Sequence, residues 1–140
     1  MPRWVLDANQ YLFTFGGARQ SECVTLLDGI LRQDEVEVVI CRTIVQEVVG
    51  NMDQRSARAF FTWLSGIADI DEDEVVPFDL WVHYEISGFK PADAFIAAYT
   101  EHVGAAFLVS ENRHFLRART DLPFRVMDAR SALEALARRG

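Results

Sequence analysis

At 140 residues, half of them hydrophobic and a quarter charged, the chain is long enough to bury a core as a single domain, 1–140, without disulfides or a structural metal. Its net charge of −7 excludes a protein that coats nucleic acid through a broad basic face. It does not exclude a pocket for divalent cations, which must itself be acidic and whose bound ion reverses the local sign.

No apolar run approaches the ~20 residues needed to cross a bilayer. The apolar stretch of MPRWVLDANQ stops at Asp7, too short for a signal peptide, so a cytoplasmic location is the expectation. Cys23 and Cys41 form no CxxC pair and lie in apolar surroundings, where core packing is their expected role. His83, His102 and His114 lack the spacing of a zinc site. Arg113, Arg117, Arg119, Arg125, Arg130, Arg138 and Arg139 crowd the last third, whereas Asp69, Asp71, Glu72, Asp73 and Glu74 form an acidic run that reads as a solvated loop.

In chain order, Arg3 to Leu6 reads as a short buried strand, apolar on both faces and ended by Asp7. Asn9 to Phe15 predicts a short helix stopped by Gly16-Gly17. Ser21 opens a second helix to Arg32, with Val24, Leu27, Ile30 and Leu31 on one face. Val36 to Ile40 is a strand by its β-branched content. Thr43 caps a helix over Ile44 to Val49, and Gln54 to Ile67 gives another, with Ala57, Phe60, Phe61 and Leu64 at helical spacing. Val75-Val76 reads as a short strand, Phe78 to Ser87 as a helix, and Pro91 as the first turn of a helix to Val103. Ala106 to Val109 and Phe124 to Met127 are further strands, and Ser131 to Arg138 closes the chain as a helix. Strands alternating with helices imply parallel pairing and right-handed crossovers, hence a three-layer α/β/α sandwich with a mainly parallel central sheet. Such sheets bind ligands at the carboxyl ends of their strands.

Several acids and amides fall at those ends or at helix edges. Asp7 ends the first strand, a position that fits a crevice carboxylate as well as a helix cap. In IVQEVVG, Ile44, Val45, Val48 and Val49 form an apolar arc and Glu47 flanks it beside Ile44, although a helix-surface Glu is the commoner meaning of such a residue. Asp93 lies in the first helical turn among Ala92, Ala94, Ala97 and Ala98, a packed setting that is costly for an unpartnered carboxylate. The strand in FLVSENRHF ends at Ser110, with Glu111 and Asn112 following, which also fits a simple cap ahead of Arg113.

These segments, in this order, resemble the PIN (PilT N-terminus) domain, the fold of VapC-type toxins and related ribonucleases. VLDAN at 5–9 resembles the family's opening motif, Glu47 matches the acid of the helical second motif, PADAFIAA at 91–98 the third with Asp93 as its acid, and LVSENRHF at 108–115 the fourth. Ser110 stands at the hydroxyl position of that last motif, and Asn112 stands where many members carry Asp.

The resemblance implies a PIN-like fold and a metal-dependent endoribonuclease that hydrolyses RNA phosphodiester bonds. Asp7, Glu47 and Asp93 would bind Mg²⁺ or Mn²⁺, with Ser110 and Asn112 holding the water shell or a phosphate oxygen and no histidine base. Three carboxylates suit one ion well and a second less firmly, since an amide brings no charge. Arg113 and His114 are candidates for phosphate contact. The resemblance further implies an RNA substrate, a small antitoxin protein as partner and a homodimer, for which Trp63 and Trp81 offer aromatic surface. Asn112 leaves open the alternative of a PIN-fold binding module with weakened or lost catalysis. A receiver-like signalling domain fits poorly: it needs adjacent acids near the first strand and a lysine late in the chain, whereas Asp7 stands alone and the single lysine is Lys90.

Overall fold

The computed structural model describes residues 1–117 and 121–139; Arg119 of the arginine-rich last third lies outside them. Five parallel strands form one sheet: β1 (Arg3–Leu6), β2 (Glu37–Cys41), β3 (Ile70–Asp71), β4 (Phe107–Val109) and β5 (Arg125–Met127), in the order β3-β2-β1-β4-β5. The helices are α1 (Ala8–Phe15), α2 (Ser21–Arg32), α3 (Arg42–Gly50), α4 (Gln54–Ser65), α5 (Phe78–Ile86), α6 (Pro91–His102), α7 (Arg113–Leu116) and α8 (Ala129–Ala137). They fall into two contacting groups, α1 with α2, α3 and α4 and α2 with α8, and separately the α5–α6 hairpin. The result is the three-layer α/β/α sandwich expected from the alternation of elements.

Strand order determines where a site can form. The chain winds outward from β1 through β2 to β3, then crosses back to place β4 on the other side of β1, with Leu6 opposite Val109 and Val5 opposite Leu108. The carboxyl ends of β1 and β4 therefore flank a topological switch point, where the connections diverge and leave a crevice. β1 is the central strand, and Trp4, Val5 and Leu6 are all fully buried, which explains a strand apolar on both faces.

Helix faces follow the 3.6-residue period with small shifts of phase. In α2 the buried set is Cys23, Leu26, Leu27 and Ile30, and Leu31 is 52% exposed. In α4 it is Phe60, Trp63 and Leu64, with Phe61 turned outward. Trp63 is thus core, its indole N–H donating to the Leu27 carbonyl at 3.1 Å, and it offers no surface for a second copy. Helix α6 is buried nearly all round, from Ala94 to Thr100. Gly88 and Gly104, just past α5 and α6, take positive φ of 108° and 67°, where a side chain would be strained. Both thiols are buried, and burial pushes each up to about 12, leaving them as inert packing groups.

The acidic run departs from a solvated loop. The third strand is Ile70–Asp71, pairing with Ile40 and Cys41, while Val75 lies in a 3₁₀ turn (Asp73–Val75) instead of a strand. The run clasps the neighbouring elements. Tyr99 donates its hydroxyl to Asp71 at 2.6 Å, Arg42 forms a two-pronged pair with Glu72, and Asp73 accepts both the Thr43 N–H (3.0 Å) and its hydroxyl (2.7 Å). Asp73, from a different element, therefore caps α3, which begins at Arg42 and has no side-chain cap of its own at Cys41. Asp73→Ala is expected to cost about 1–2 kcal/mol of stability in urea unfolding, whereas Asp69→Ala, at an exposed position, should change it by less than about 0.5 kcal/mol. Equal, small effects at the two positions would show that the run is merely solvated.

Candidate metal centre

Asp7 leaves β1 at the switch point and is almost wholly buried, at 7% exposure. Its backbone N–H continues the ladder to the Val109 carbonyl at 2.9 Å, which fixes the side chain at the crevice. One carboxylate oxygen accepts the Ala8 N–H at 2.8 Å and the other the Ser110 hydroxyl at 2.8 Å. Asp7 is thus the cap of α1 and a crevice acid at once; the two roles use different lone pairs of the same group.

Ser110 ends β4 in full burial. Its single hydroxyl proton goes to Asp7, and its oxygen accepts the Asn112 N–H at 3.0 Å and the Asn9 side-chain amide at 3.4 Å. The side-chain oxygen of Asn9 in turn accepts the Glu111 N–H at 3.2 Å. Ser110 therefore positions Asp7 and has no proton left for a water shell or phosphate oxygen, contrary to the role the resemblance gave it. Glu111 turns away: it accepts the Gln10 amide at 2.6 Å and the Ala129 N–H at 3.0 Å, tying α1 to the start of α8. Asn112 is the cap of α7, its side-chain oxygen accepting the His114 N–H at 2.9 Å, so that oxygen is engaged in the fold. Sequence reasoning missed Gln10, a fully buried amide within α1 that its short apolar pattern did not single out.

Glu47 lies on α3 and Asp93 in the first turn of α6. Burial pushes the Asp7 carboxyl above its ordinary range; hydrogen bonds from Ser110 and Ala8 pull it partly back, and the negative charge of Asp93 raises it further. Glu47 is exposed over much of its side chain, yet burial still leads in raising it, followed by the charges of Asp7 and Asp93. No lysine or arginine is among the groups acting on either acid. The charge of Asp93 thus acts on both Asp7 and Glu47, and that of Asp7 on Glu47. Close by, the Tyr11 hydroxyl is fully buried, and burial together with Cys41 and Asp7 keeps it protonated.

The donor set is chemically suited to a hard divalent cation: carboxylate oxygens carrying excess negative charge. Among the described residues, however, no group of three or more His, Cys, Asp or Glu stands ready to hold one ion directly. The fit is to an ion that keeps several waters and takes one or two carboxylates, as magnesium commonly does. Beside Asp93 lies a cavity of about 230 Å³ that also includes Lys90, His114 and Arg117 in its wall. Arg113, the other residue considered for phosphate contact, opens α7 on the exposed surface and is not part of that wall.

Fold and site together define an α/β/α protein with a buried carboxylate, Asp7, at its topological switch point. No protein-family model matches the sequence, and no curated protein does. Among solved structures the chain is similar to one described as the crystal structure of VapBC2 from Rickettsia felis bound to a DNA fragment from their promoter. The TM-score is 0.64 with 16% identity, over 90% of this chain and 98% of that one. At that identity the likeness shows the fold, which is PIN-like, as the four sequence segments imply.

Raised carboxyls make a prediction about stability. The unfolded chain gives up these protons near pH 4, whereas the folded chain holds Asp7 and Glu47 protonated to higher pH. Their contribution is therefore favourable below about pH 4 and is lost as pH rises through the folded values. Glu47→Gln should raise the thermal midpoint at pH 7, and that gain should vanish near pH 4. Magnesium should raise the midpoint of the wild-type chain more than that of the variant. A variant no more stable at pH 7 than at pH 4, relative to wild type, would contradict mutual repulsion in the crevice.

Proposed function

We propose that this chain is a metal-dependent endoribonuclease, using Mg²⁺ or Mn²⁺ to hydrolyse RNA phosphodiester bonds. The supporting observation is that the charge of Asp93 on α6 acts on both Asp7, just after β1, and Glu47 on α3, with no cation among the groups that act on those two. A site that raises its own carboxyls in this way is poorly balanced until a cation arrives. In this reading Asp7 and Asp93 hold the ion directly or through water, and Glu47 holds its water shell. When bound, such an ion lowers the pKa of a coordinated water, orients it, and stabilises charge on the leaving oxygen. Ser110 keeps Asp7 in one orientation through its 2.8 Å hydrogen bond, and the Ala8 N–H fixes the other oxygen. No histidine base is invoked.

VapBC2 is described as bound to a DNA fragment from its promoter. By analogy we place this chain in the cytoplasm as the toxin of a toxin–antitoxin pair, a homodimer neutralised by a small antitoxin protein. No helix among the described residues is long and apolar enough to cross a membrane. A second reading, a PIN-fold binding module without catalysis, is favoured by Asn112, whose side-chain oxygen is engaged in capping α7. Calorimetric titration with Mn²⁺ separates the two, since a module without a working site should bind the ion weakly or not at all.

Asp93→Asn is expected to lower RNA cleavage at least about a hundredfold, the loss of some 3 kcal/mol of charge stabilisation, while circular dichroism reports an intact fold. EDTA should stop cleavage and excess Mg²⁺ or Mn²⁺ restore it. Full activity in Asp93→Asn would end the assignment. Ser110→Ala should reduce metal affinity about 10–100-fold by freeing Asp7 to rotate, and Ser110→Thr should recover part of that loss.

A further inference from the structure

The cavity beside Asp93 gathers cations in a chain that is acidic overall. Its wall includes Phe89, Lys90, Asp93, His114 and Arg117, from the α5–α6 connection, α6 and the short α7 segment. Lys90 is the chain's only lysine. The ion pairs among the described residues engage Arg3, Arg32 and Arg42, so none engages Lys90, His114 or Arg117. All three side chains are exposed and line a hollow of about 230 Å³. That volume holds roughly seven waters at about 30 Å³ each, enough for a phosphate with part of its sugar. A planar guanidinium and an ammonium facing one hollow match phosphate oxygens, the first as a fork and the second as a point charge.

We propose that Lys90, His114 and Arg117 form a subsite for the backbone phosphate adjacent to the scissile one in single-stranded RNA. The inference rests on the nuclease reading, and Asp93 is its link to that reading, since it belongs both to the cavity wall and to the acid group. A single strand is the occupant because Lys90, His114 and Arg117 at one small cavity can meet one phosphate, whereas a duplex needs contacts spread over a broad basic face. The subsite supplies attraction that the acids cannot: its cations offset Asp93 in the same wall and draw the strand to one side of Asp7 and Glu47.

Binding of a fluorescent single-stranded RNA oligonucleotide to the full chain in EDTA, followed by anisotropy over a range of salt, tests this without cleavage. Lys90→Ala combined with Arg117→Ala should lower the log–log salt slope by about 0.7, the one phosphate of the subsite. At about 0.1 M salt the same slope corresponds to binding weakened roughly fivefold relative to wild type. Arg125→Ala removes one charge from the opposite, amino edge of the sheet and should leave the slope unchanged. Lys90→Arg with Arg117→Lys should preserve it, and thermal melts should show the exposed substitutions to be folded. A wild-type slope in the alanine double variant, with cleavage still abolished by Asp7→Asn, overturns the subsite alone. A lost slope in a chain whose cleavage ignores Asp7→Asn overturns the nuclease reading and leaves a phosphate site.

Discussion

β1 and β4 lie side by side in parallel, yet the chain reaches them by connections that wind in opposite directions. No helix can fill the space above both carboxyl ends, because the crossovers leave on either side. The first residue past each strand then faces a gap and its neighbour, and here those residues are Asp7 and Ser110. Their 2.8 Å hydrogen bond spans 103 positions of sequence. Asn9 and Gln10 on one side and Glu111 and Asn112 on the other reinforce it with side-chain and main-chain bonds, so the rim of the gap is built from polar groups that bond to one another, the Gln10 side-chain oxygen alone among these atoms being buried without a partner.

That rim makes a buried carboxylate tolerable without making it comfortable. Two hydrogen bonds favour the ionised form of Asp7, but burial and Asp93 act against it, and burial prevails. Removing the strain by placing an arginine nearby would be simple in physical terms, and arginines are plentiful late in the chain. The groups acting on Asp7 and Glu47 nevertheless include none. The fold retains an electrostatic imbalance that nothing in its packing requires, and such imbalances are characteristic of sites that bind or react.

Much of the architecture was legible in the sequence because alternation of short buried strands with periodic helices admits few topologies, and β1, α2 and α6 follow directly from runs such as RWVL, the Ser21 start and Pro91. Asp7 was conspicuous for ending an apolar strand, and Asp93 for sitting among alanines. The errors share one cause: local pattern read without the partner that resolves it. Val75-Val76 has strand composition, but Ile70 and Asp71 are the residues that meet Ile40 and Cys41. The acidic run looked solvated because its partners, Arg42, Thr43 and Tyr99, lie some 30 residues away on other elements. Trp63 looked like surface because the apolar set of α4 was read as Ala57, Phe60, Phe61 and Leu64, whereas Trp63 replaces Phe61 on the buried face. Ser110 and Asn112 were correctly placed at the strand end, but hydrogen-bond donors must be counted one by one before their roles emerge.

The residues after β4 carry a further consequence. Ser110 is bonded to Asp7, Glu111 to Gln10 and the start of α8, and the Asn112 oxygen to the start of α7, so this segment contributes no carboxylate to the crevice. Negative charge there must come from β1, α3 and α6 alone. In the proposed site, Asp7, Glu47 and Asp93 bring three negative charges and a divalent ion returns two positive ones, so the loaded centre remains negative when an anionic strand approaches. An enzyme with that balance needs cations close by that do not simply pair with the acids. Lys90 and Arg117, at the wall of a cavity that reaches Asp93 and in no ion pair among the described residues, occupy that position. The acidic hollow and the basic cavity are best understood as one device, in which the second makes the first approachable.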